Sequence, residues 1–261
     1  MKMRLIVAAV HVCFSFLLLG SIAAQAAELK VLSAAGYAPI LQDLAPKFER
    51  QTGHKLEITY SAGAAIVKRV QGGESIDGVI IPRSFLDILV KTGKVAAGDV
   101  TGVARSPIGV AVRRGAPRPD ISSAEAFRRT LLAAKSITYT DPANPAANNT
   151  IGIHLTKVLD RLGIANEIKP KTVFSRTVDV GDLVATGEAE IGMGQSQNLI
   201  LVAGIELIGP LPEELQDYVV FAAAIMPGVK DTAALKALVD FLRTPDATVV
   251  IKAKGMEPFA L

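Results

Sequence analysis

The stretch LKVLSAAGYAPILQDLAPKFERQTGHKLEITY, Leu29 to Tyr60, decides the fold. It opens on a short apolar strand, Leu29–Ser33. A helix is predicted over Gly36–Thr52, because Ile40, Leu41, Leu44, Ala45 and Phe48 recur on one helical face and Gly53 is a stop. Leu56–Tyr60 then alternates apolar and polar residues, the pattern of a second strand. Two strands joined through a helix form the unit of a parallel sheet, since a parallel pair needs a crossover.

The same grammar continues toward the C-terminus. A helix is expected over Gly63–Gln71, ended by Gly72-Gly73, and a buried strand over Gly78–Ile81, broken by Pro82. Strands follow at Ile108–Val112, Ile137–Thr140, Glu190–Gly194 and Val219–Ile225. Helices are read at Ser122–Ala134, Thr150–Leu162 and Val178–Thr186, then around Leu235 to Leu242 and Ala247 to Lys254. Asp141 to Asn149, rich in Pro, Ala and Asn, reads as a loop. The class is α/β: a two-lobed fold of mixed, mostly parallel sheets with helices on both faces.

Toward the N-terminus the reading changes. Lys2 and Arg4 precede an apolar run, Leu5 to Leu19, and Ala24-Gln25-Ala26 puts small residues at the positions a signal peptidase reads. That is a secretory leader over residues 1–26, with export to the periplasm and a mature chain from Ala27. The run is too short for a spanning helix of ~20 residues. The sole cysteine, Cys13, lies inside the leader, so the mature chain has no disulfide and no thiol chemistry. Losing Lys2 and Arg4 takes the formal charge from +3 to +1, which leaves no footprint for nucleic acid. His54 and His154, the two mature histidines, are too far apart in sequence to suggest a metal site. No cofactor and no metal are expected.

Ligands of such sheets sit beyond the carboxyl ends of the strands, where helix N-termini point. Four junctions fit: Ala34–Tyr37, Ser61–Ala65, Asn148–Ile151 and Ser175–Val178. Small and hydroxyl residues there leave backbone N–H groups to face an anion.

The stretches Leu29–Ala35, Leu44–Gly53 and Ala185-Thr186-Gly187-Glu188-Ala189-Glu190-Ile191-Gly192 resemble the molybdate-binding periplasmic proteins of ABC importers. The resemblance covers most of the mature chain. It implies two lobes, residues 27–106 with 224–261 and residues 107–223, closing over a small anion, as a monomer that delivers to an ABC permease. Its ligand shell maps onto Gly36, Gly63, Ala64, Thr150, Ile151 and Gln195. The family's hydroxyls are mostly missing there. Gly36 stands for a serine, Gly63-Ala64 for a serine pair, and Gln195 for a tyrosine. A site stripped of those donors should take a different ligand. Pro82-Arg83 stands where the family carries Ala-Asp, so Arg83 is a charge reversal at the cleft mouth. Arg83 and Arg176, beside Thr177, suit a carboxylate held by a two-bond fork, and Tyr37 and Tyr60, flanking the first two junctions, are placed to cover a flat, unsaturated ligand. The first reading is therefore a binding protein for a small organic polycarboxylate. Aconitate isomerase is similar to the same family and gives the second: an allylic proton shift with His154, Tyr37 or Asp141 as acid or base.

Overall fold

The computed structural model describes residues 26–144, 150–176 and 180–259. Residues 1–25 of the expected leader, part of the Asn148–Ile151 junction, and Thr177 with Val178 lie outside the described residues.

The elements run β1 (Glu28–Ala34), α1 (Ala38–Thr52), β2 (Lys55–Ser61), α2 (Gly63–Gln71), β3 (Gly78–Pro82), α3 (Arg83–Lys91) and β4 (Val100–Arg113). They continue with α4 (Ala124–Ala133), β5 (Ile137–Thr140), α5 (Thr150–Arg161), α6 (Ala165–Ile168), β6 (Thr172–Ser175), α7 (Val180–Thr186), β7 (Ile191–Gln195) and α8 (Ser196–Leu199). The chain ends with β8 (Ile205–Pro210), β9 (Tyr218–Ile225), α9 (Thr232–Phe241), α10 (Pro245–Ala253) and β10 (Glu257–Pro258).

In α1 the periodic residues do what their spacing implies: Ile40, Leu41, Leu44 and Phe48 are fully buried. Each such side chain contributes roughly 1.5–3 kcal/mol of burial. Gly53 closes the helix at φ 79°, a left-handed conformation that favours glycine. β1 lies between β2 and β3, parallel to both, with Leu29 opposite Leu56 and Val31 opposite Gly78. This triplet directs α1, α2 and α3 to start at one edge of the sheet. α3 was not anticipated from the sequence. Pro82 ends β3 and also serves as the residue that starts a helix, a position where a missing N–H costs nothing.

In the second half β5 is parallel to β6 and β7. The antiparallel pairs come from the long strands that join the halves. β9 runs against β3 and β4, and the fourteen-residue β4 also runs against β7 and β8. A parallel reading follows from helix-strand alternation alone, whereas β4 and β9 cross between the two halves and pair antiparallel with their neighbours.

The apolar residues divide into two main cores. One draws on residues from Leu29 to Ala104 and Phe221 to Met256, the other on Ile108 to Leu215. A smaller cluster, including Val180, Val184 and Leu199, sits under α7 and α8. The molecule has the two-lobed periplasmic-binding-protein fold, with β4 and β9 running between the cores. Among the described residues no helix is long and apolar enough to cross a membrane. No group of three His, Cys, Asp or Glu side chains among them is placed to hold a metal ion.

Candidate functional site

The carboxyl end of β3 turns straight into α3, so Pro82, Arg83 and Ser84 stand at the sheet edge. Across from them are Ile108 of β4 and the start of α5, Thr150 and Ile151. Asp217, Tyr218, Val219 and Val220 form the return crossover between them. Together with Phe259 these residues enclose a cleft of about 310 Å³. Its walls are mainly apolar, with few polar groups, the usual make-up of a small-molecule site. Phe259 packs over Gly102, where β4 bulges before Ala104: a Cβ on Gly102 would lie 2.6 Å from Phe259 Cδ1.

Arg83, Thr150 and Ile151 are thus the expected site residues that the structure brings together. Arg83 is exposed at the mouth and its Nε donates to Asp87 Oδ1 at 2.9 Å. An exposed pair of this kind is worth about 0–1 kcal/mol, so a ligand carboxylate can compete for the guanidinium.

The other expected residues sit elsewhere. Tyr37 is fully buried and stacks on Phe221 with ring centroids 5.5 Å apart. Its hydroxyl has no hydrogen-bond partner among the described residues, and burial pushes its pKa up. A phenol held protonated in the core does not cover a ligand and does not act as a base near neutral pH. Asp141 builds a turn: its Oδ1 accepts from the Ala143 N–H at 2.9 Å, and its own N–H donates to the Ser175 carbonyl at 2.9 Å. Arg176 is exposed, and its carbonyl accepts from Asn144 Nδ2 at 2.7 Å. Gln195 accepts from Gln197 Nε2, and Gln197 in turn accepts from the Ser106 hydroxyl. These three side chains tie β7 and α8 to β4 and leave Gln195 engaged away from the cleft.

The two glycine positions differ in kind. A Cβ at Gly36 would lie 3.6 Å from both Gln197 Nε2 and the Phe221 ring, ordinary contact. A Cβ at Gly63 would lie 2.5 Å from the Phe85 ring. Phe85 of α3 occupies the space a side chain would need, and Ala64 beside it is exposed. α2 starts after Ala62 with no side-chain cap, and α3 starts after Pro82 likewise. Their first N–H groups therefore lack a capping oxygen.

His154, one turn into α5, points at the crossover. Its Nε2 donates to the Leu215 carbonyl at 2.8 Å, and Nδ1 lies 3.7 Å from Asp217 Oδ2. Asp217, Tyr218, Ser84 and Phe259 escaped sequence reasoning. The available signal was position: Asp217-Tyr218 immediately precedes the apolar run of β9, where a strand returns past the cleft.

Residues 29–257 match the family described as bacterial extracellular solute-binding protein. The chain is 34% identical to an aconitate isomerase of a Pseudomonas species, covering 88% of this chain and 87% of that protein. It is 30% identical to the molybdate-binding protein ModA of Azotobacter vinelandii, covering 89% and 91%. The solved periplasmic molybdate-binding protein of Azotobacter vinelandii superposes with a TM-score of 0.65 at 21% identity, covering 89% of this chain and all of that one. At that identity the superposition speaks for the fold alone.

Proposed function

The chain belongs to the bacterial extracellular solute-binding protein family, and from that premise we propose that it takes a small polycarboxylate into its interlobe cleft and interconverts trans- and cis-aconitate. The carrying observation is the chemistry of the cleft. The hydroxyls that would hold a tetrahedral oxyanion are absent at Gly36, Gly63 and Ala64, while Arg83 lines a cavity of about 310 Å³. Arg83 and the uncapped start of α3 supply positive potential at the mouth, suited to a carboxylate fork. Thr150 and Ile151 close the far wall. Arg176, exposed at the neighbouring junction, adds a second positive charge on the same lobe. The 34% identity to an aconitate isomerase supports the same substrate.

The mature protein is proposed to begin at Ala27 in the periplasm, to act as a monomer and to need no cofactor. Its lobes are residues 27–106 with 224–261, and 107–223. Phe221 to Ala223 pack with the first core, which makes β9 the segment the two lobes share.

Incubation of the mature protein with trans-aconitate, followed by chromatography, should yield the cis isomer. Molybdate should leave the melting temperature unchanged, because a ligand stabilises only the state it binds. Arg83→Ala should weaken trans-aconitate binding by roughly 1–2 kcal/mol, as for a charged hydrogen bond only partly removed from water, and Arg83→Lys should restore part of it. A clear molybdate shift, or full binding by Arg83→Ala, overturns the carboxylate assignment. A second reading follows from the family and from its molybdate-binding relatives: capture without chemistry, with delivery to an ABC permease. Tight binding of trans-aconitate with no turnover selects it.

A further inference from the structure

We propose that Asp217 is the base of the allylic proton shift and that His154 is its positioning residue, the pair being set at the cleft by the return crossover. The assignment rests on the isomerase reading above. Asp217 lines the same cavity as Arg83. Its carboxylate is fixed at one end, since Oδ1 accepts from the Tyr218 N–H at 2.8 Å. The other oxygen, Oδ2, is the one that faces His154 Nδ1, at 3.7 Å. The imidazole is oriented in turn, because Nε2 donates to the Leu215 carbonyl at 2.8 Å. That bond puts the proton of the neutral ring on Nε2 and leaves the Nδ1 lone pair toward Asp217.

This arrangement matches what a 1,3-shift needs. Asp217 removes a proton from the substrate methylene, and the C–H electron pair spreads over the three allylic carbons. The protonated carboxyl then has Nδ1 as an acceptor. This carboxyl, open to exchange with water, then gives a proton to the far allylic carbon, so one C–H bond breaks, one forms, and the double bond moves one place. No oxidant or second base is required. Other charged or titratable groups surround the pair. Arg83 on α3 faces the same cavity, and Arg105 on β4 lies 3.9 Å over the Tyr218 ring. Glu213 accepts from the Tyr218 hydroxyl at 3.2 Å, and Arg161 on α5 donates to the Glu214 carbonyl. None of these other groups combines a basic oxygen with a place on the cavity wall.

The test uses the mature protein, with trans-aconitate in deuterated water followed by NMR, alongside kcat, KM and calorimetric binding. The parent should convert the substrate and exchange its methylene protons. Asp217→Asn should keep binding within about threefold and lose kcat by about 100-fold or more, the usual scale for a general base. His154→Gln retains an amide that can reach the Leu215 carbonyl but nothing at Nδ1. It should lose kcat by about tenfold with KM and melting temperature unchanged. A loss below tenfold in Asp217→Asn, with the parent active, overturns this assignment and leaves the isomerase reading standing. Full kcat in His154→Gln overturns the positioning role. A parent that binds trans-aconitate but neither converts nor exchanges it overturns both.

Discussion

Helices that start at the carboxyl edge of β2-β1-β3 differ from α4, α9 and α10 in how they treat their first N–H groups, while the four-residue α6 and α8 are uncapped as well. α4, α9 and α10 are each capped: Ser123 accepts from the Ala126 N–H, Asp231 from Ala234 and Thr244 from Ala247. The starts at Ala34, Ala62 and Pro82 carry no side-chain cap. A cap is worth about 1 kcal/mol, so three helix starts at one sheet edge forgo stability that three others collect. The edge that forgoes it adjoins the cleft. Backbone donors left open there are what an anionic ligand requires.

The comparison breaks hardest where a helix start is jammed against a strand. A Cβ on Gly152, in the first turn of α5, would run into the Thr140 carbonyl oxygen and press on the Pro142 nitrogen. Backbone cannot move aside as a side chain can. Gly152→Ala should cost about 3 kcal/mol or more, lowering the melting temperature by roughly 10 °C and taking ligand binding with it. An unchanged melting temperature would mean that α5 is free to slide at the cleft.

Gly63→Ser is next in size. It adds the hydroxyl that the resemblance to the molybdate-binding proteins leads one to expect there, but the Phe85 ring occupies the space. The expected cost is about 1–3 kcal/mol, and in a Phe85→Ala background it should shrink, so the cycle is non-additive. Additive losses would show that Phe85 is not what excludes a side chain. Gly36→Ser, which meets only ordinary contacts, should leave the melting temperature nearly unchanged.

Ser123→Ala and Thr244→Ala sharpen the contrast from the capped side. Each should cost about 1 kcal/mol, or 2–4 °C, and leave trans-aconitate affinity untouched. A change in affinity would tie these distant ends to the cleft.

These outcomes bear on what the sequence discloses. The α1 face, the Gly53 stop, the α2 limits and the β5 limits were legible because each rests on local periodicity or a glycine. α3 was missed because Pro82 reads as a terminator, although it equally begins a helix. Arg83, Thr150 and Ile151 were picked out by position at strand ends, and they line one cavity. Tyr37 was misplaced over the cleft because sequence cannot say which way the residue after a strand turns, and here it turns into the core against Phe221. Asp217 was passed over because the contact that singles it out is with His154, sixty-three residues earlier (217 less 154). Non-local pairings of that kind leave no periodic trace.

The smallest expected effect is the most discriminating. Ala62 is exposed, with φ −68° and ψ 142°, already the extended geometry of a capping residue. Ala62→Ser would place a hydroxyl oxygen within reach of the Ala64 or Ala65 N–H, as Ser123 does in α4. Nothing else in the fold need move. The variant should therefore be more stable by about 0.5–1 kcal/mol, a rise of 1–4 °C. If the open donors of α2 belong to the ligand site, the new hydroxyl competes for them, and trans-aconitate affinity should fall by about threefold, less than 1 kcal/mol, because only one of several donors is lost. Opposite signs in one variant, a higher melting temperature with weaker binding, would show that the missing cap is an exchange of stability for function. Higher stability with unchanged affinity would instead confine the ligand to α3, Arg83 and the crossover, and leave the bare start of α2 to be explained by the Phe85 ring packed against it.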